Sequence, residues 1–131
     1  IRLYLDDELV VQGYPKLLNE CVSNLIYNAI EHNPKLSEIE IRWQKVKQGA
    51  KTFALFAIQD NGVGIGKEHL NHLTERFYMV DSARQRTSHG GSGLGLAIVS
   101  HALKKHGSQL LIESEPGQGS LFKFYLPAYE Q

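Results

Sequence analysis

Apolar and polar residues alternate along this chain in two rhythms, one of period two and one of three-and-four spacing, and the changes between them mark out its elements. Ile1 to Leu5 alternates, and Leu9 to Gln12 repeats the pattern after Asp6-Asp7-Glu8, so a small opening pair of strands is expected. From Pro15, a favourable first helical residue, Leu18, Cys21, Val22, Leu25 and Ala29 recur at helical spacing as far as Asn33-Pro34 and predict a long amphipathic helix. Ile39, Ile41 and Trp43 alternate with Glu40, Arg42 and Gln44, and a second strand from Thr52 to Gln59 follows through Gln48-Gly49, which predicts a hairpin. A short helical piece is expected near Lys67 to Thr74. Asp81 to Ser92 is polar, carries Arg84 and Arg86 and ends in glycines, so it reads as a mobile surface segment, a flexible lid. Leu96, Val99, Ala102 and Leu103 predict a second buried helix that stops at Gly107, before strands at Gln109 to Glu113 and Leu121 to Leu126 around Pro116-Gly117. Helices on one face of a mixed, largely antiparallel sheet would bury both sets of apolar faces, giving a two-layer α/β (α+β) sandwich.

Composition narrows the picture. With 131 residues, 42% hydrophobic and 21% charged, residues 1–131 are expected to form one domain with its own core. Fourteen Lys plus Arg balance fourteen Asp plus Glu, and the resulting net charge of zero argues against a nucleic-acid backbone as partner. The single cysteine, Cys21, lies among apolar residues, which suits a core thiol in a reducing, cytoplasmic compartment. No apolar run approaches the ~20 residues that span a bilayer. Because the chain opens on Ile1, it is expected to be a piece of something longer, with any membrane anchor in the remainder.

Three stretches carry candidate chemistry. Glu20, Asn24, Asn28 and His32 fall at successive spacings of four, a polar stripe expected roughly opposite Leu18, Val22, Leu25 and Ala29. A solvated helix face would account for it, but asparagine is a poor helix former, and its side-chain carbonyl is a neutral hard-oxygen ligand suited to Mg²⁺ shared with phosphates. The second stretch is D-N-G-V-G-I, Asp60 to Ile65, at a strand end. An aspartate there can accept a hydrogen bond from the exocyclic amine of adenine, whereas the carbonyl of guanine would set acceptor against acceptor. Gly62 and Gly64 would let the backbone turn and admit a flat ring; a strand-ending Asn-Gly turn is the plainer account. The third, His89 to Leu96, places glycines at a helix start, where free amides and the helix dipole attract phosphate oxygens. A simple glycine hinge remains open, and neither a P-loop nor a dinucleotide fingerprint is present. Arg84 and Arg86 are candidates for a terminal phosphate. His69, His72, His101 and His106 lack zinc-site context and read as surface histidines.

Taken in order, N-L-I-Y-N-A-I-E-H-N-P, D-N-G-V-G-I, E-R-F-Y-M-V-D, G-G-S-G-L-G-L-A-I-V and G-Q-G-S resemble the successive boxes of histidine-kinase ATP-binding domains, whose wider superfamily includes gyrase, a heat-shock chaperone family and mismatch-repair ATPases. The resemblance covers nearly the whole chain and implies the Bergerat fold and a site for ATP and Mg²⁺. It implies that Asn28 holds Mg²⁺, Asn24 lies beside the phosphates, Asp60 reads adenine, Gly62, Gly64 and Ile65 border the base, and His32 stacks near it. It further implies that Gly91, Gly93 and Gly95 serve the phosphates and hinge the lid, that Phe77 anchors the lid, and that Ser92, Leu94, Leu96 and Ser120 belong to the ATP site, with Arg84 and Arg86 as candidates for its terminal phosphate. Glu31, Met79 and Ser120 depart from residues common in relatives, a basic residue, an arginine and a threonine respectively. In hydrolytic cousins the position of Asn24 carries a water-activating glutamate; an asparagine cannot accept that proton, so hydrolysis is expected to be slow. The implied partners are ATP, the phosphoacceptor histidine domain of the same protein, which is dimeric, and a response regulator downstream. This domain by itself is expected to be monomeric and cytoplasmic, within a parent of the bacterial inner membrane. A non-catalytic nucleotide-binding module and a superfamily ATPase are the competing readings.

Overall fold

The computed structural model describes residues 1–31, 38–62, 64–70, 72–73 and 95–129. Strand β1 (Arg2–Leu5) leads to helix α1 (Pro15–Glu31), then to strands β2 (Ile39–Gln48) and β3 (Lys51–Asp60), a single helical turn α2 (Lys67–Leu70), helix α3 (Gly95–Lys105), and strands β4 (Leu111–Glu115) and β5 (Gly119–Pro127). The strands form one sheet in the order β1-β2-β3-β5-β4, with β1 parallel to β2 and every other pairing antiparallel.

One face of this sheet and the two long helices make the core. Period-two alternation sends Ile39 and Ile41 of β2, Phe56 and Ile58 of β3, and Phe122, Phe124 and Leu126 of β5 to the same side. Cys21, Leu25 and Ala29 of α1 and Val99, Ala102 and Leu103 of α3 close over them. Phe56 and Phe124, opposite each other in the register, stack at 5.2 Å. The other sheet face is charged and amphipathic: the Arg42 guanidinium lies 4.3 Å from the Tyr4 ring centre, Arg42 pairs with Glu40, and Lys123 pairs with Glu113 at 3.2 Å.

Helix α3 ends as its sequence foretells. Gly107 takes a φ of 69°, Ser108 N–H donates to Leu103 O and Gly107 N–H to Lys104 O, a Schellman closure that satisfies the last carbonyls. The β2–β3 hairpin turns at Gly49-Ala50, and of the short helical piece expected near Lys67 to Thr74, Lys67–Leu70 is helical and His72 and Leu73 form a turn, Asn71 and Thr74 lying outside the described residues. The predicted final strands lie close to their expected places, β4 two residues later.

The opening differs. Leu9 to Gln12 does not pair with β1; Asp6 caps a turn through Glu8 N–H, the chain crosses the end of the sheet, and Val11 makes one bridge to Ala128. β1 instead lies parallel along the outer edge of β2, with Leu3 and Leu5 in register with Ile41 and Trp43, because the intervening α1 supplies the long crossover that parallel pairing needs.

His106 is also no simple surface histidine. Its Nε2 accepts Tyr14 N–H at 2.9 Å, which leaves Nδ1 to donate to Ala102 O at 2.7 Å. Its ring also fills the space where Gly13 lacks a side chain. A spacing argument sees no context for this bond because its partner lies 92 residues away.

Candidate functional site

Helix α3 is tied at its C-terminal end to the far part of β5, where Ser108 Oγ donates to Tyr125 O at 2.6 Å. Its N-terminus, Gly95, therefore points toward the opposite end of the strand, where Ser120 stands beside Asp60. Contacts of α1 with both ends of α3, Tyr14 with His106 and Asn24 with Gly95, make the helices antiparallel, so Asn28 also faces that pole. Four of the site segments thus converge on one end of the sandwich.

Asn24 is placed by its own helix. Its Nδ2 donates to Glu20 O at 2.7 Å, which turns Oδ1 outward, and a Cβ on Gly95 would sit 3.2 Å from that oxygen. Asn24 and Asn28 are half-buried and flank the buried stripe of Cys21, Leu25 and Ala29. They are not opposite the apolar face as expected. The face farthest from the core is that of Ser23, Tyr27 and Ile30, all exposed, so the asparagines line the boundary toward α3.

Across the end of the sheet runs a row with three polar side chains of four. Ile39, Asp60, Ser120 and Ser114 are register partners in sequence, one row beyond the apolar row of Ile41, Ile58, Phe122 and Ile112. Asp60 retains only 7% of its surface, and among the described residues its carboxylate has one hydrogen bond, from Gly62 N–H to Oδ1 at 2.9 Å. Burying a carboxyl group with one of its two oxygens unengaged is costly, and that oxygen, Oδ2, is the natural seat for an outside donor.

The loop after Asp60 is pinned along its length. Asn61 accepts Glu38 N–H at 2.7 Å and returns its own N–H to Glu38 O at 3.2 Å. Gly64, with φ 75°, lies so near the β4–β5 turn that a Cβ would come 2.1 Å from Glu115 O. Its lack of a side chain serves this contact. Ile65 N–H then donates to Ser114 Oγ at 2.8 Å, and Ser114 Oγ also meets Gly119 O at 2.9 Å and Ser120 Oγ at 2.8 Å. At Gly119, with φ 107°, a Cβ would lie 2.0 Å from Asp60 O, so no side chain fits there either.

Of the residues proposed from sequence, Asp60, Gly62, Gly64, Ile65 and Ser120 stand together at the floor, and Asn24 and Gly95 meet at the wall. Ile65 and Leu96 also pack against the core. His32, Phe77, Arg84, Arg86, Gly91, Ser92, Gly93 and Leu94 lie outside the described residues, as does the lid segment. Sequence reasoning assigned no role to Ser114, Asn61 or Gly119. Ser114 was legible in principle, since a hairpin centred on Gly117 sets it opposite Ser120.

A family model, the histidine kinase-, DNA gyrase B- and HSP90-like ATPase, matches residues 13–130. The chain is 47% identical over 97% of its length to the phosphate regulon sensor protein PhoR of Haemophilus influenzae, and 46% identical over 92% to that of Pseudomonas aeruginosa. It spans 29% and 27% of those two proteins. The mycobacterial sensor histidine kinase MprB superposes with a TM-score of 0.78 at 26% identity, covering 99% of this chain and 82% of that one. The ordered boxes, the sandwich and the acidic floor thus meet in one conclusion: the chain belongs to the histidine kinase-, DNA gyrase B- and HSP90-like ATPase family, as an ATPase catalytic domain of the sensor-histidine-kinase type.

Proposed function

We propose that this domain binds ATP with Mg²⁺ and delivers the γ-phosphoryl group to a histidine on a separate dimerisation domain of the same protein, in phosphate-starvation signalling. The observation that carries the nucleotide reading is Asp60, buried at the end of β3 with one carboxylate oxygen engaged by Gly62 and the other open among the described residues. That oxygen accepts the exocyclic amine of adenine; guanine would oppose it with a carbonyl.

The donor set suits Mg²⁺. Asn28 offers a neutral carbonyl oxygen, half-buried and one turn from Asn24, and among the described residues no three His, Cys, Asp or Glu side chains form a metal cage. A cation held mainly by the nucleotide's own phosphates needs such a sparse protein contribution. When bound, Mg²⁺ would supply charge neutralisation at the phosphate oxygens.

The residues of this chain then position and exclude. Asn24 stands by the N-terminus of α3, whose free amides favour phosphate oxygens, and brings no carboxylate to activate water. ATP therefore stays intact until a histidine nitrogen from the dimerisation domain attacks in line: the N–P bond forms, the bond from the γ-phosphorus to the β,γ-bridging oxygen breaks, and ADP leaves. The phosphoryl group passes on to a response regulator. The 46–47% identity to two phosphate regulon sensors supports the signalling assignment. The proposal sets this domain in the cytoplasm and its parent protein in the bacterial inner membrane.

Calorimetric titration with ATP and GTP, each with and without Mg²⁺, tests the site. ATP should bind in preference to GTP, Asp60→Asn should remove most of that preference, and Asn28→Ala should make ATP affinity nearly indifferent to Mg²⁺. Radiolabel from γ-labelled ATP should then appear on a supplied phosphoacceptor domain. Binding without labelling would leave a nucleotide-binding module, and steady phosphate release at enzyme-like rates would make the domain a hydrolase.

A further inference from the structure

The hydroxyl of Ser114 has one hydrogen and two lone pairs, and its three neighbours assign all of them. Gly119 O at 2.9 Å can only accept, so it takes the Ser114 hydrogen. Ile65 N–H at 2.8 Å can only donate, so it takes one lone pair. The remaining contact, Ser120 Oγ at 2.8 Å, can then form in one sense alone, with Ser120 donating. Ser120 is buried, and it is the register partner of Asp60. Its hydrogen is turned toward β4, and toward the space beside Asp60 it offers lone pairs.

We propose that Ser114 is a specificity-determining residue for the nucleotide base, acting through Ser120. By holding the Ser120 hydroxyl as an acceptor, it makes the buried floor acceptor-only, Asp60 carboxylate and Ser120 oxygen side by side. Such a floor favours a purine whose 6-substituent is an amino group and disfavours one whose 6-substituent is a carbonyl. Without Ser114 the Ser120 hydroxyl rotates freely and can donate to a carbonyl, so a purine of the wrong kind is no longer refused. Ser114 touches no nucleotide in this scheme; it sets the polarity of the residue that does. The inference rests on the reading of Asp60 as the base-recognising carboxylate.

The test is calorimetric titration of the 131-residue chain with ATP and GTP for Ser114→Ala, Ser120→Ala, the double variant and Asp60→Asn. Ser114→Ala should narrow the ratio of ATP to GTP affinity by roughly fivefold to tenfold, with GTP binding strengthened or unchanged. Ser114→Thr, which keeps the hydroxyl, should restore the ratio. Removing Ser120 as well should cancel the effect, since the coupling runs through that hydroxyl. Should Ser114→Ala fail to fold, Ser114→Cys keeps the volume with a poor acceptor and carries the same expectation. A role confined to loop stability would weaken both nucleotides alike. An unchanged ratio in Ser114→Ala, with the preference lost in Asp60→Asn, overturns the proposal and leaves the Asp60 reading standing. An ATP preference that survives Asp60→Asn overturns both.

Discussion

Replacing Gly64 by alanine tests the contact that holds the base loop onto the β4–β5 turn. Two costs add. The φ of 75° is left-handed, which for a residue with a side chain costs about 1–2 kcal/mol. The new Cβ would also lie 2.1 Å from Glu115 O and 2.7 Å from Glu115 C, against the 3.4 Å at which ordinary contact begins. Both partners are backbone, so relief means lifting the loop by about an ångström, a strain of roughly 1–3 kcal/mol for overpacking, and stretching the Ile65–Ser114 hydrogen bond. The expected destabilisation is about 2–5 kcal/mol, or a fall in Tm of very roughly 8–20 °C at this chain length. Gly49→Ala is the internal control. Its φ of 65° is similar, but nothing lies within 4 Å of the added atom, so it should lose only about 1–2 kcal/mol. Urea unfolding of wild type and both variants, compared at equal m-value, reads the difference. If Gly64→Ala is no less stable than Gly49→Ala, the loop does not lie on the turn and the pinned floor is wrong.

Two further outcomes are expected. Burial pushes the Cys21 thiol up to about 12, so the folded chain keeps a proton that the unfolded chain releases above about pH 9; stability is full below that pH and falls as pH rises toward 12. The unfolding free energy of wild type relative to Cys21→Ala should drop by up to about 1.4 kcal/mol per pH unit in that window, and a difference flat from pH 8 to 10.5 would refute the burial. His106→Phe keeps a ring against Tyr14 but strands Tyr14 N–H and Ala102 O; it should cost about 1 kcal/mol by urea unfolding while leaving ATP affinity unchanged, since it lies at the pole away from Asp60.

The period-two and helical rhythms made β2, β3, β5, α1 and α3 legible because each has one buried face, and a one-sided burial writes itself into the residue order. β1 was misread because its four residues are all exposed at a sheet edge: local alternation says strand, but nothing local says which strand it joins. The asparagine stripe was found but set on the wrong side, since spacing gives an angle between residues and not the direction of the second helix. Asp60 announced itself by motif. Ser114 did not, because its meaning lies in a register across a hairpin and in the bookkeeping of a single hydroxyl hydrogen.

Asp60 stands on β3, the middle strand of five, with β2 and β1 on one side and β5 and β4 on the other. Edge strands fray and exchange their amides through small openings, whereas a middle strand is released only when the sheet itself comes apart. In the proposed reading of Asp60, the carboxylate that chooses the base therefore sits in the last part of the molecule to melt. Fraying of β1 can loosen the domain's outline without touching that floor, whereas opening of β4 carries Ser114 away from Ser120, so the selectivity of the proposed site should weaken with the β4 edge before the sheet itself melts.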